Sequence, residues 1–313
     1  MIDIKELVPL ADKNWFKTGG NARFFATPAC AITFQEAVQF AKKRNLELFL
    51  LGKGANILIA DEGFDGLVIQ PQLKDICIVN EDNETAWVKA GAGVSLDLLI
   101  NWCLDNHIIG LEEFSGIPST VGGAVYINLH YFEFLLEHFL SSAEIIEAQT
   151  GNLFTVQNEW FNFGYDYSTL HEHKHYLATA TFKLKKVSFE QAAFAKGRSA
   201  EIIRHRTRRY PQKNTCGSFF RNFHEHEVTL MINDKKMLYV AYYLDQLGIK
   251  GNLHSGGASV SSQHANMIIN NGNATSTDII NLARSMQKMV LQQFGIIPQP
   301  ECQLIGFKEK RLI

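Results

Sequence analysis

What this chain has little of narrows it first. Its 313 residues include five cysteines (Cys30, Cys77, Cys103, Cys216 and Cys302), an odd number with no CxxC pair among them. Such spacing indicates neither a disulfide framework nor a zinc site. Net charge is equally scarce: 30 Lys and Arg against 32 Asp and Glu leave a formal -2. Without a long-range positive field, nucleic acid is not an expected partner. No uncharged apolar run reaches the ~18 residues that a membrane-spanning helix needs, so no membrane association is expected. The start, Met1-Ile2-Asp3-Ile4-Lys5-Glu6, lacks the basic then apolar segments of a secretory leader, and a cytoplasmic protein is the expectation. Internal repeats and low-complexity linkers are also missing.

What is there is ordinary globular composition, 46% hydrophobic and 20% charged. Single cores stop growing near ~250–300 residues, so the length predicts two or three compact units. The one basic run, Arg204-His205-Arg206-Thr207-Arg208-Arg209, suits a phosphate grip or, as readily, a solvated helix end.

Periodicity sketches the elements. Thr33 with Glu36 predicts a capping box, opening a helix whose stripe of Ala37, Val38, Phe40 and Ala41 runs to Arg44. Runs at 46–51, 56–60 and 67–70 read as buried strands around the turns at Gly52 and Asp61-Glu62-Gly63. From about 73 to 205 strands dominate. Residues 87–90 form one, Ser95 caps a helix reaching Asp105, 143–148 and 153–156 make a hairpin, and 175–185 alternate as a half-solvated strand. Farther on, Asp278 to Phe294 predicts an amphipathic helix with Ile279, Ala283, Met286, Val290 and Phe294 on one face and Gly295 past its end.

Two segments invite an anionic ligand. Gly52-Lys53-Gly54-Ala55-Asn56 follows a buried strand, where glycines let backbone N–H groups approach a phosphate. It is not GxGxxG and no acid follows at dinucleotide-fold spacing, which disfavours a nicotinamide-binding Rossmann fold. Gly116-Ile117-Pro118-Ser119-Thr120-Val121-Gly122-Gly123-Ala124 joins a stiff Ile-Pro corner to paired glycines. Two such nests suit a long ligand carrying a pyrophosphate. The histidine-rich stretches, His171, His173 and His175, then His224 and His226, offer no cysteine or third clustered ligand, and no metal is expected.

These segments, with Asn14-Trp15-Phe16-Lys17-Thr18-Gly19-Gly20-Asn21-Ala22, resemble the UDP-N-acetylenolpyruvoylglucosamine reductase family. Cys216-Gly217-Ser218-Phe219-Phe220-Arg221-Asn222 resembles its Gly-Ser-x-Phe-Lys-Asn signature. Gly257-Ala258-Ser259-Val260-Ser261 through His264-Ala265-Asn266 is similar to the next block, and Pro300-Glu301-Cys302-Gln303-Leu304-Ile305-Gly306 stands where the family has Glu-Val-Arg-x-Ile-Gly. The likeness runs in order over about residues 14–307. It implies an α+β fold: a vanillyl-alcohol-oxidase-type FAD-binding fold of two α/β subdomains (1–72 and 73–205) and a C-terminal α+β substrate domain (206–298). Residues 299–313 would return to the active site and the first subdomain. The length suits the shorter subtype, without the tyrosine-bearing insertion.

In that family NADPH reduces FAD, and the reduced flavin passes hydride to the enolpyruvyl group of a UDP-sugar. The resemblance implies FAD contacts from Gly52, Lys53, Gly54, Ala55, Asn56 and Ile57. It implies others from Gly116, Ile117, Pro118, Ser119 and Thr120, then Gly122, Gly123, Ala124 and Asn128. Ser218 falls on the proton donor and Glu301 on the catalytic glutamate. Tyr165, Arg221, Asn222 and His264 are the implied substrate contacts. A UDP-sugar enolpyruvate is the expected partner, and a monomer the expected state.

The chain departs where the family has Phe-Gly-Tyr-Arg-x-Ser and this sequence reads Phe163-Gly164-Tyr165-Asp166-Tyr167-Ser168. Losing one preorganised donor to an oxyanion costs about 3–4 kcal/mol. Arg221, Arg206, Arg208 and Arg209 are candidates to supply the missing charge. The family's Asn-x-Gly-Ala-Tyr-Gly is here Asn128-Leu129-His130-Tyr131-Phe132, and Gln303 stands for the last arginine. Asp166 keeps two alternatives open: a paralogous FAD reductase or oxidase with another substrate, or a non-catalytic flavin-binding module.

Overall fold

The computed structural model describes residues 2–309 and 312–313. The chain forms two compact units, each drawn from separated stretches. One comprises the start through Glu6, Arg23–Lys53 and Gly66–Arg206; the other comprises Leu7–Ala22, Gly54–Asp65 and the chain from Thr207.

The first unit is built on an antiparallel sheet with strands in the order Leu153–Gln157, Leu140–Glu147, His175–Lys186, Thr85–Gly91, Ile76–Glu81. Its long strand alternates as the sequence predicts, with Ala180, Phe182 and Leu184 buried and Lys183 and Lys185 exposed. The first helix, α1 (Ala31–Lys43), starts earlier than predicted. Cys30 is its cap, and Thr33 lies inside the first turn, where its hydroxyl accepts from the Cys30 N–H at 3.2 Å. Phe34, Ala37, Val38 and Ala41 of α1 pack against Leu67, Ile69 and Ala178.

Helix α2 (Leu96–Asp105) is capped by Ser95, whose Oγ accepts from the Leu98 N–H at 3.2 Å. Short α3 (Val121–Tyr126) is capped by Thr120. Both bury their apolar sides among Val88, Ala90, Ala180 and Phe182. A long helix, α4 (Phe189–Arg209), interrupts the stretch read as mostly strand, and the basic run is its solvated end.

The second unit has a three-stranded antiparallel sheet of His254–Ser255, Ala258–Val260 and Ile268–Asn270. Against it pack α5 (Val240–Gln246) and α6 (Ser276–Phe294), joining Phe219, Phe220, Tyr243, Leu244 and Met286 in one core. Thr275 caps α6, so Asp278 is the third residue of its capping box, not its first residue; Gly295 closes it at φ 71° as predicted. Ile57–Ile59 runs parallel to Gln303–Ile305 within this unit. No helix among the described residues is long and apolar enough to cross a membrane.

Candidate functional site

In the first unit, the strand Leu48–Leu50 delivers the chain to Gly52, whose carbonyl accepts from Gln70 Nε2 at 3.2 Å. A Cβ at Gly52 would lie 2.8 Å from Thr120 Oγ1. The start of one glycine-rich turn therefore touches the other across a gap that only a hydrogen fills. Thr120 is itself fixed: its Oγ1 accepts from the Gly123 N–H at 3.1 Å, while the Gly122 N–H donates to Ala92 O at 2.9 Å and Leu96 N–H to Ser119 O at 2.9 Å. Lys53 Nζ lies 3.2 Å from Asp97 Oδ2 at the start of α2.

The chain enters the second unit at Gly54, with φ 64°; a Cβ there would lie 2.5 Å from Lys13 O. Asn56 then faces the C-terminal segment, its Nδ2 donating to Glu301 O at 3.5 Å and its carbonyl accepting from Gln303 N–H at 3.1 Å. Its Oδ1 is buried with no partner among the described residues. A buried acceptor without a donor calls for one from a ligand or water. This orphaned acceptor fits a hydroxyl-bearing cofactor such as FAD. Asn128 differs from its neighbours. Its Nδ2 donates to Gly164 O and its Oδ1 accepts from Glu137 N–H, so its amide serves the chain.

The second unit also brings Ser218 and Glu301 together. Ser218 bridges Met267, Phe220 bridges Pro300, and the Glu301 N–H donates to Phe219 O at 2.9 Å. Asn266 locks this segment by donating from Nδ2 to Phe220 O and accepting from Phe220 N–H at Oδ1. Nearby, the buried thiols of Cys216 and Cys302 meet, and burial, Cys302 and the Glu301 charge push the Cys216 thiol well up. The Cys216 thiol therefore stays uncharged and serves as packing. His264 sits in the turn leading to Met267, its ring edge-on to Tyr210 at 5.5 Å. Burial holds its imidazole below the usual range; Arg209 and Lys250 add to this, against Asp245.

Arg221 spends its guanidinium on a fork with Glu227 at 2.7 and 2.8 Å, which brings the Glu227 carboxyl down to about 2. Asn222 Oδ1 accepts from Val240 N–H, fixing the start of α5. Arg206, in the first unit, donates to Gly116 O at 3.3 Å and lies 5.5 Å from the Tyr131 ring. Tyr165 is about half exposed, in the first unit, beside His130. Asp166 Oδ1 lies 3.5 Å from His130 Nδ1, a pairing the sequence reading missed because the two residues stand in different motifs. Of the histidine-rich stretches, His171 stacks on Tyr126 at 3.9 Å and His224 on His226 at 5.6 Å. No group of three or more metal-ligating side chains occurs among the described residues.

Comparison with known proteins bears on the same residues. A family model described as the C-terminal domain of UDP-N-acetylenolpyruvoylglucosamine reductase matches residues 209–305, and one described as an FAD binding domain matches 22–157. A protein named UDP-N-acetylenolpyruvoylglucosamine reductase from Synechococcus sp. (strain WH7803) is 33% identical over 97% of this chain and 94% of its own. One of the same name from Lactobacillus johnsonii is 32% identical over 99% and 96%. The crystal structure of UDP-N-acetylenolpyruvylglucosamine reductase from Thermus caldophilus matches with a TM-score of 0.78 at 25% identity, covering 97% of this chain and 100% of that one.

Proposed function

The chain belongs to the UDP-N-acetylenolpyruvoylglucosamine reductase family, and from that premise we propose how its own residues carry the reaction. It is an FAD-dependent oxidoreductase with the α+β, vanillyl-alcohol-oxidase-type fold. It reduces UDP-N-acetylglucosamine enolpyruvate to UDP-N-acetylmuramate, a step of peptidoglycan precursor synthesis. In our reading NADPH supplies the electrons and the enzyme is a cytoplasmic monomer.

Bound FAD supplies the hydride relay between the nicotinamide and the substrate. In our reading the chain's own part is to hold the pyrophosphate on the backbone N–H groups of the Gly52–Asn56 turn, since those of Gly122 and Gly123 already donate within the chain. Asn56, with its orphaned Oδ1, would accept from a cofactor hydroxyl. Hydride addition leaves negative charge on the carbon bearing the substrate carboxylate, and that carbon must then take a proton. Ser218 is the assigned donor. A serine hydroxyl is a weak acid, so it needs donors that stabilise the oxyanion it leaves. Glu301 stands beside it as the second catalytic group. His264 is the contact for the sugar nucleotide on this unit, neutral near pH 7 because burial lowers its pKa.

The Glu301 N–H to Phe219 O bond is the observation that supports this assignment, because it ties the two catalytic backbones in register. Ser218→Ala is the test. The protein should still be bleached by NADPH, while reoxidation of its flavin by the enolpyruvyl substrate slows by about 10²–10⁴-fold. Reoxidation at the wild-type rate would remove Ser218 from the mechanism.

A further inference from the structure

The segment 14–22 belongs neither to the glycine-rich turns nor to the Ser218–Glu301 pairing. Within the second unit it lies directly against the later part of the first glycine-rich turn, residues 54–56. Trp15 N–H donates to Gly54 O at 2.9 Å, and a Cβ at Gly54 would lie 2.7 Å from Asn14 Cα and 3.0 Å from Asn14 Cβ. Only a glycine allows both this approach and the left-handed φ of 64°. Farther along, Gly20 N–H donates to Ala60 O at 3.0 Å and Leu10 N–H to Gly20 O at 3.2 Å. Asn270 Nδ2 donates to Phe16 O at 2.7 Å, so the segment is pinned in its middle as well.

The side chains inside that frame are less completely served. Asn14 is 1% exposed and Thr18 4%. Asn14 spends both of its amide protons on carbonyls, donating from Nδ2 to Leu10 O and to Thr18 O, each at 2.8 Å. This fixes the orientation of the amide and leaves Oδ1 buried with no donor among the described residues. Thr18 Oγ1 is in the same position, and so is Asn56 Oδ1, two residues past Gly54. Buried polar atoms are almost always hydrogen-bonded, so three such oxygens in one neighbourhood point to a group from outside the chain. The set also states the chemistry of that group. Amide oxygens only accept, whereas a threonine hydroxyl both donates and accepts. A ligand hydroxyl matches them, donating to an amide oxygen while accepting from Thr18. A water matches them too, with a second proton for the other amide.

We propose that Asn14, Thr18 and Asn56 form a binding site for hydroxyl groups, filled by an enclosed water or by a hydroxyl of the cofactor. The cofactor source rests on the functional reading above, because Asn56 ends the turn assigned to FAD; the water source does not. Asn14 has two roles here: Nδ2 holds the segment in shape, and Oδ1 accepts from the bound group.

The test is Thr18→Val, which keeps the side-chain shape and removes the hydroxyl. Melting temperature is measured with FAD bound and after the flavin is removed, and FAD affinity by fluorescence titration. A hydroxyl that holds a bound group is missed, so the variant should melt about 2–4 °C below wild type. If the group is a cofactor hydroxyl, the fall is confined to the FAD-loaded protein and FAD binds about fivefold more weakly or worse. If it is water, both forms fall alike and FAD affinity is unchanged. A buried hydroxyl with no partner is a burden, and replacing it by a methyl group relieves the protein. Thr18→Val that melts at or above wild type in both forms, with unchanged FAD affinity, would therefore overturn the proposal. A wild-type chain that binds no FAD would overturn the functional reading instead, and the flavin-free melting comparison would then decide the site by itself.

Discussion

Gly52 shows how closely one glycine-rich turn approaches the other. With only 2.8 Å between a Cβ there and Thr120 Oγ1, a methyl group must push Thr120, the cap of α3, out of place. Overpacking of this kind costs about 1–3 kcal/mol. We expect Gly52→Ala to weaken FAD binding at least ~10-fold, the equivalent of about 1.4 kcal/mol, in a flavin-fluorescence titration. An unchanged affinity would place the pyrophosphate elsewhere. The Arg221–Glu227 fork makes a second residue-level prediction. Glu227 titrates at about 2 in the folded chain against an ordinary 4.5. Its folded pKa is depressed, so its contribution to stability is present above about 4.5 and is lost as pH falls toward about 2. Denaturation measured across that window should show Glu227→Gln losing less stability on acidification than the wild type. Ser218 and Glu301 each stand inside an ordered signature, and the fold brings their two segments into backbone contact through the Glu301 N–H to Phe219 O bond. The His130–Asp166 contact was not legible in the sequence, since the two residues stand in separate motifs and only the fold brings them to 3.5 Å.

At the scale of elements, the start of α6 carries more than its own cap. Asp61 accepts from the Ser276 N–H at 2.7 Å, the Thr277 N–H at 2.9 Å and the Thr277 hydroxyl at 2.8 Å. A carboxylate at a helix N-terminus satisfies otherwise orphaned donors and complements the dipole. Asp61→Ala should cost about 1–2 kcal/mol by these rules, and Asp61→Asn less, read as a fall of a few degrees in melting temperature. No change in melting temperature on Asp61→Ala would assign the anchoring to packing alone. Element boundaries were legible where the cap chemistry was local, as at Ser95 and Gly295. Helix α4 was not, because its buried positions are Ala192, Ala195, Ser199 and Ile202. Small and polar side chains leave the right spacing with almost no apolar signal. The first turn of α1 was misjudged for a related reason: Cys30 took the cap that the sequence assigned to Thr33.

At the scale of the molecule, the sequence supported several compact units but hid how they are threaded. Ile57–Ile59 finds its parallel partner in Gln303–Ile305 near the other end of the chain, and nothing local in either tripeptide specifies that pairing. Parallel strands require long connections, so such partners are seldom near neighbours in sequence. The same threading carries Asn56 to Glu301, joining a predicted cofactor turn to a predicted catalytic residue within one unit. The most direct test of the whole account is an anaerobic titration of the purified, FAD-loaded protein. The account predicts that NADPH bleaches the flavin, that one equivalent of UDP-N-acetylglucosamine enolpyruvate restores its color, and that UDP-N-acetylmuramate forms in equal amount. A flavin that bleaches with NADPH and stays bleached when the enolpyruvyl substrate is added would contradict it.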